Sequence, residues 1–168
     1  MKEEIVNRVA KSGLITIDLS DYAPIDSILE LDLRDFLYQG VVLKEKEFRR
    51  SLKSFDFKTF SKKNVALNCS AESIVPMWAY MLITSYLNSV NAKIYFGQKQ
   101  DVFQQIFANN INTIDVSKFK SKKVIVKGCG QIPLSEAIYI AITKKLQNTV
   151  SSLMFGEACS AVPVLKNK

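Results

Sequence analysis

The chain of 168 residues contains no histidine. This absence excludes a Ser-His-Asp triad, a Cys-His catalytic pair and a zinc site with histidine ligands. Any general acid or base must therefore be an aspartate, a glutamate, a lysine, a tyrosine or a cysteine.

Long apolar runs and a secretion signal are also missing from the sequence. No apolar run approaches the roughly 18 residues that a membrane-spanning helix needs. The first residues, Met1-Lys2-Glu3-Glu4, are acidic and amphipathic rather than typical of a signal peptide. The chain has three cysteines, an odd number at wide spacing, which does not make a disulfide framework. We therefore expect a cytoplasmic protein without a membrane partner, whose thiols are free or bound to a metal.

The charge of the chain is positive, with a formal net value of +7. The basic residues are scattered apart from small clusters at Arg49-Arg50 and between Lys118 and Lys123. Neither an RNA-binding signature nor a helix-turn-helix pattern accompanies them. The charge thus indicates a solvated lysine-rich surface, and nucleic acid is not an expected partner.

Strand patterns and helix patterns alternate along most of the chain. A helix over residues 3–12, strands near residues 14–19 and 29–33, and a helix from Lys44 make an N-terminal α+β segment. Further strands are predicted at Val65–Leu67, Lys93–Phe96, Val124–Val126 and Ser152–Phe155, and further helices at Val75–Leu87, Val102–Phe107 and Leu134–Leu146. Val162–Leu165 reads as an edge strand, because Pro163 cannot donate to a ladder. The prediction is a single α/β domain over residues 1–168, with a mainly parallel sheet flanked by helices.

An internal repeat supports this fold class. An ungapped offset of 59 residues superposes residues 56–97 on residues 115–156, with about ten identities. The matched pairs include Asp56 with Asp115, Val65 with Val124, Tyr80 with Tyr139, Phe96 with Phe155 and Gly97 with Gly156. Each copy would be one strand–helix–strand unit with parallel strands and a right-handed crossover. The alternative is that any two units of this kind share the same periodicity.

The cysteines fall at comparable places in the predicted fold. Cys69 and Cys129 each follow a predicted strand and precede a helix whose start is marked by Pro76 or Pro133. Cys159 follows the strand that ends at Phe155. Functional groups of open α/β sheets collect beyond the carboxyl ends of the strands. If the three strands are parallel neighbours, the three thiols converge there.

Converging thiolates suggest a metal centre. Zinc accepts sulfur ligands in a tetrahedral set, and Glu157 or Glu72 would complete a shell made by Cys69, Cys129 and Cys159. An iron–sulfur cluster normally takes four cysteines, so three would leave one iron open to an outside ligand. The first hypothesis is therefore a protein that holds zinc or an iron–sulfur cluster on these residues.

Two alternatives remain open. In one, Cys129 is the nucleophile of a thiol-dependent enzyme, activated by the dipole of the following helix and by Lys127. In the other, the cysteines are small buried hydrophobes in a non-catalytic scaffold or interaction protein that forms a homodimer. A phosphate-binding loop at Gly128-Cys129-Gly130 is disfavoured, because the lysine and spacing of a P-loop are missing.

Five segments together span nearly the whole chain: IVNRVAKSGLITIDL, LRDFLYQGVVLKEKEFR, CSAESIVPMWAYML, KGCGQIPLSEAIY and MFGEACSAVP. They resemble segments of the bacterial domain-of-unknown-function family 2480. The resemblance implies no established activity, and no functional residue is carried over from it. It does favour iron–sulfur assembly proteins as partners, which accords with the metal hypothesis.

Overall fold

The computed structural model describes residues 13–128 and 132–167. Its contacts divide the chain into two compact units. The outer unit comprises Met1–Pro24 and Gln104–Lys168, and the inserted unit comprises Ile25–Phe103. The helix predicted over residues 3–12 lies outside the described residues, and the single domain over residues 1–168 stays a prediction.

Seven strands and four helices make up the described residues. In chain order they are β1 (Leu14–Asp18), β2 (Ile28–Asp32), α1 (Glu45–Ser54), β3 (Asn64–Asn68), α2 (Met77–Ser89), β4 (Lys93–Phe96), α3 (Lys99–Asn112), β5 (Lys123–Lys127), α4 (Glu136–Leu146), β6 (Ser152–Phe155) and β7 (Val162–Lys166). The α/β fold class is therefore confirmed. In both units, helices flank the strands.

The strands form two sheets rather than one. In the inserted unit the order is β2-β3-β4, and all three strands are parallel. In the outer unit the order is β1-β5-β6-β7; the first three strands are parallel, and β7 runs antiparallel at the edge. The edge position predicted for the segment with Pro163 is confirmed.

The spacing of apolar residues explains which parts of the strands and helices are buried in the core. The most buried strands are the central ones, with every residue of β3 buried and Val124, Ile125 and Val126 of β5 buried. Helix α2 buries Ala79, Ile83 and Leu87, and helix α4 buries Ile138, Ile142 and Leu146. Residues spaced by four lie on one face of a helix, so each helix presents one apolar stripe to the core.

The two predicted strand–helix–strand units are present, one in each sheet. Strands β3 and β5, helices α2 and α4, and strands β4 and β6 all start 59 residues apart. The turns before β3 and β5 repeat a left-handed residue, with φ of 58° at Lys62 and 57° at Ser121. The ring pairs repeat as well: Tyr80 meets Phe96 edge-on at 5.8 Å, and Tyr139 meets Phe155 at 5.6 Å. Such agreement in turns and ring packing goes beyond shared periodicity.

A second repeat lies at the first strand of each sheet. Asp18 ends β1 and caps a short 3-10 turn by accepting from the Ser20 N–H at 3.0 Å. Asp32 ends β2 and caps an equivalent turn by accepting from the Arg34 N–H at 2.9 Å. Each unit is thus a strand with an aspartate-capped turn, paired in parallel with a strand–helix–strand unit. The two aspartate-capped turns have the similar sequences Asp-Leu-Ser-Asp-Tyr and Asp-Leu-Arg-Asp-Phe, so this second repeat is visible in the sequence.

Candidate functional site

The carboxyl edge of the outer sheet is where two of the three predicted thiol-bearing loops begin. Strands β5 and β6 are parallel neighbours, and Val126 is in register with Phe155. The Gly156 N–H donates to the Val126 carbonyl at 3.0 Å, so the pairing continues to the first residue after β6. The chain therefore leaves both strands at the same edge. Cys129, two positions beyond the end of β5, lies outside the described residues.

Cys159 lies in a tight turn just after β6. The turn is closed by the Ser160 N–H, which donates to the Glu157 carbonyl at 2.9 Å. Gly156 starts the turn with φ of 111°, a conformation that favours glycine. Glu157 and Cys159 are both exposed, and the Cys159 sulfur is 3.9 Å from the Ser160 hydroxyl. The Cys159 thiol is thus accessible to a ligand from solvent.

Cys69 belongs to the other sheet. It follows β3, which pairs with β2 and β4 rather than with β5 or β6. The thiol is half-buried, and its sulfur is 3.9 Å from the Ala71 carbonyl. The condition set for convergence, three neighbouring parallel strands, is not met, because β3 is flanked on both sides by strands of its own unit.

Within residues 13–128 and 132–167, no three cysteine, aspartate or glutamate side chains are grouped to hold a metal ion. Since Cys129 is not among those residues, the metal site of Cys69, Cys129, Cys159 and Glu157 stays a prediction. The role of Cys129 as a nucleophile also stays a prediction.

Polar groups surround Cys69 at the carboxyl edge of the inserted sheet. Partial burial raises the pKa of Asp32, but hydrogen bonds from Ser70 and Arg34 outweigh it, and the net pKa is lowered. The Ser70 N–H donates to Asp32 at 3.0 Å. Burial raises the pKa of the Tyr80 hydroxyl, and the nearby Cys69 and Asp32 add to the effect. Cys69 therefore lies near an ionised carboxylate and a phenol that stays neutral.

Lys127 forms an ion pair at the equivalent edge of the outer sheet. Its ammonium lies 3.1 Å from the Asp18 carboxylate, which faces it across β1 and β5. The Ser20 hydroxyl, at 2.6 Å, is the main cause of the lowered pKa of Asp18, and Lys127 contributes to it. The positive charge expected to activate Cys129 is therefore shared with a carboxylate.

The helix after Cys129 starts later than predicted. The expectation was a start at Leu134, next to Pro133, but α4 begins at Glu136 with Ser135 at the N-cap. A helix dipole acts mainly within the first turn, so a later start weakens its effect on residues well before it. The pair of Lys127 with Asp18 and the start of α4 are the surroundings that the structure describes, and the activation of Cys129 stays a prediction.

Two tyrosines that the sequence matched in the internal repeat, Tyr80 and Tyr139, lie next to the thiol-bearing loops. The Tyr139 hydroxyl donates to the Gly128 carbonyl at 3.4 Å, and Tyr80 lies close enough to Cys69 to respond to its charge. Gly128 itself is required by the close approach, since a Cβ there would be 2.5 Å from the Tyr139 oxygen. The match of Tyr80 with Tyr139 in the sequence repeat indicated that the two tyrosines occupy equivalent positions.

An exposed apolar patch occupies one side of the inserted unit. We define it by Val41, Val42, Ile74, Met77 and Met81, each more than half exposed. The Ser73 hydroxyl donates to the Val41 carbonyl and ties the two loops of the patch together.

Among the described residues no helix is both long and apolar enough to cross a membrane. Comparison with curated proteins and with solved structures finds no significant match. The sequence model of the family described as protein of unknown function, DUF2480, matches residues 3–167. The resemblance stated from the sequence is thereby confirmed, and the chain belongs to the DUF2480 family.

Proposed function

We propose that this protein binds a thiophilic metal, as zinc or as an iron–sulfur cluster, at the carboxyl edge of its outer sheet. The ligands would be the thiolates of Cys129 and Cys159, with the Glu157 carboxylate as a third group. The observation that supports this choice is the parallel pairing of β5 and β6, which sends the two loops out from one edge. Edges of this kind are where open α/β sheets carry their sites.

The chemistry of the ligands fits such a metal. Zinc binds thiolate sulfur at about 2.3 Å and carboxylate oxygen at about 2.0–2.2 Å, usually in a tetrahedron. Two thiolates and one carboxylate leave a fourth position, which an incoming ligand would occupy. An iron–sulfur cluster normally needs four cysteines, so two would come from a second copy of the chain or from an iron–sulfur assembly protein. A reducing cytoplasm would keep the thiols available.

Cys69 is left out of this proposal, although the sequence grouped it with the other two. Its loop follows a strand of the inserted sheet, and its neighbours are Asp32 and Tyr80. Cys69 therefore provides an internal control, because it has the same chemistry at the corresponding loop of the other unit.

The test is metal binding by protein purified without oxygen. Metal and acid-labile sulfide per chain would be measured for the wild type and for Cys129→Ser, Cys159→Ser and Cys69→Ser, with zinc affinity taken from competition against a chromophoric chelator. We expect the first two variants to lose metal or to bind it at least tenfold more weakly, whereas Cys69→Ser binds like the wild type. Glu157→Gln should weaken binding by a smaller factor.

Two results would count against the proposal. If the wild type neither carries nor takes up metal, the thiols have no such role and the interaction-protein alternative is favoured. If Cys69→Ser loses metal as fully as Cys159→Ser, the ligand set is the three-cysteine set predicted from the sequence, and the restriction to one sheet edge is wrong.

A further inference from the structure

A recess opens on the outer unit between helix α4 and strands β5, β6 and β7. Its volume is about 360 Å³, within the range of about 300–1,000 Å³ typical of small-molecule sites. The lining residues are Val126, Tyr139, Ile142, Thr143, Leu153, Met154, Phe155 and Val164. All belong to elements already described, and each reads in the sequence as an ordinary core or strand residue.

The lining of the recess combines buried and exposed residues. Three of its lining residues, Val126, Ile142 and Leu153, are only 4%, 1% and 2% exposed. Two others, Phe155 and Val164, are 43% and 52% exposed. Deeply buried side chains and exposed ones line the same space, so it has a floor and a rim.

A bulge in β7 contributes to this geometry. Leu153 is in register with Leu165, and Met154 with Pro163, which leaves Val164 without a partner on β6. Bulges commonly redirect a side chain next to a site. Here the unpaired Val164 forms part of the recess lining.

The chemistry of the lining residues limits which ligands can bind in the recess. No described residue that lines the recess carries a charge, so a charged group inside would lose its hydration without gaining a partner. The rings of Tyr139 and Phe155 are already packed edge-on against each other at 5.6 Å. The remaining apolar walls, from Val126, Ile142, Leu153, Met154 and Val164, are aliphatic. Aliphatic walls suit a hydrocarbon chain.

We infer that this recess binds the acyl chain of a single-tailed amphiphile and leaves the polar head in solvent at the open rim. In the described part of the outer unit, lysines outnumber carboxylates, so an anionic head is favoured over a cationic one. The ligand class is therefore a fatty acid or a similar anionic acyl compound. This inference does not depend on metal binding and is tested separately from it.

The experiment is a titration of the full chain, labelled with ¹³C in its Ile, Leu, Val and Met methyl groups, with decanoate below its micelle concentration. We expect saturable shifts of the methyl signals of Val126, Ile142, Leu153 and Val164. The methyl signals of the apolar patch on the inserted unit serve as the control and should stay in place. Decylamine, with the same chain and a cationic head, should bind at least threefold more weakly.

Two valine-to-phenylalanine variants, one at the recess and one in the other unit, provide a second test with a matched control. Val164→Phe places a larger side chain at the rim and should lower the decanoate affinity at least tenfold. Val41→Phe makes the same change at a valine that is 57% exposed in the other unit, and should leave the affinity unchanged. Equal shifts at the patch and the recess, no saturable shift at all, or full affinity in Val164→Phe would each overturn the inference. Thermal unfolding of both variants confirms that they are folded, and the wild-type titration remains decisive if one is not.

Discussion

Gly128→Ala is the substitution whose effect the structure defines most closely. The added methyl carbon would lie 2.5 Å from the Tyr139 oxygen and 2.5 Å from Leu134 Cδ1. Leu134 is half-buried in a loop and can rotate away, whereas Tyr139 is held against Phe155. The tyrosine oxygen would have to move about 0.9 Å to reach ordinary contact, which begins near 3.4 Å. Overpacking of this kind costs about 1–3 kcal/mol.

The expected result is a lower melting temperature with a specific rescue. For a chain of this size each 1 kcal/mol lowers the melting temperature by about 2–4 °C, so a cost near 2 kcal/mol predicts a drop of about 4–8 °C. Tyr139→Phe removes the clashing oxygen and should restore most of the loss when combined with Gly128→Ala. The assay is thermal unfolding followed by circular dichroism for both single variants and the double variant.

Gly13→Ala is the matched control for this cycle. Gly13 has φ of +64°, and no atom of the described residues lies within 4 Å of an added Cβ, so the expected cost of its substitution is backbone strain. That cost is about 1–2 kcal/mol and should not respond to Tyr139→Phe. A Gly128→Ala protein as stable as the wild type, or a Tyr139→Phe change that rescues both glycine variants equally, would refute the steric argument.

Three further predictions concern stability. Ile83 and Ile142 are fully buried at equivalent positions of α2 and α4. Replacing either with alanine should lower the free energy of unfolding in urea by about 2–5 kcal/mol. A decrease below about 1 kcal/mol at either position would contradict the assigned packing. Lys127→Met should cost about 0.2–1 kcal/mol at low salt and less at 1 M salt, because the pair with Asp18 is partly exposed; an equal cost at both salt concentrations would argue against an electrostatic origin. The lowered pKa values of Asp18 and Asp32 give stability that is fully present above the usual aspartate value of 3.8 and is lost as the pH falls through the lower folded values. The difference in unfolding free energy between the wild type and Asp18→Asn should therefore shrink between pH 5 and pH 2, and a constant difference would show that the carboxylate charge is irrelevant.

Local structure was largely predictable because it depends on residues close in sequence. The strands Lys93–Phe96 and Ser152–Phe155 have the predicted bounds, and the other strands differ by one or two residues at their ends. Glu45 and Arg49 of α1 form an ion pair at 2.9 Å, as expected for opposite charges four residues apart on a helix. The repeat at an offset of 59 predicted the correspondence of α2 with α4, since apolar spacing and turn residues recur together.

The sheet assignment was not predictable from the same patterns. Strand periodicity predicts that β3, β5 and β6 are strands, but it does not show which strand lies beside which. That depends on β1 and β2, whose pairing with β5 and β3 joins residues distant in sequence. The expected convergence of three thiols assumed that β3, β5 and β6 are neighbours in one sheet, whereas β3 belongs to a different sheet from β5 and β6. The recess was equally unpredictable, because its lining combines residues of α4, β5, β6 and β7 that come together only in the folded chain.

The insertion of one unit into the other has a consequence for synthesis on the ribosome. All strands of the inserted unit are made before β5, so the sheet β2-β3-β4 can close while the chain is still growing. Strand β1 is made first and finds its partner more than 100 residues later, when Lys123–Lys127 leaves the exit tunnel. Until then its open edge faces solvent and is available to other chains. Nascent chains arrested before β5 should therefore hold a protease-resistant inserted unit and an unprotected N-terminal strand.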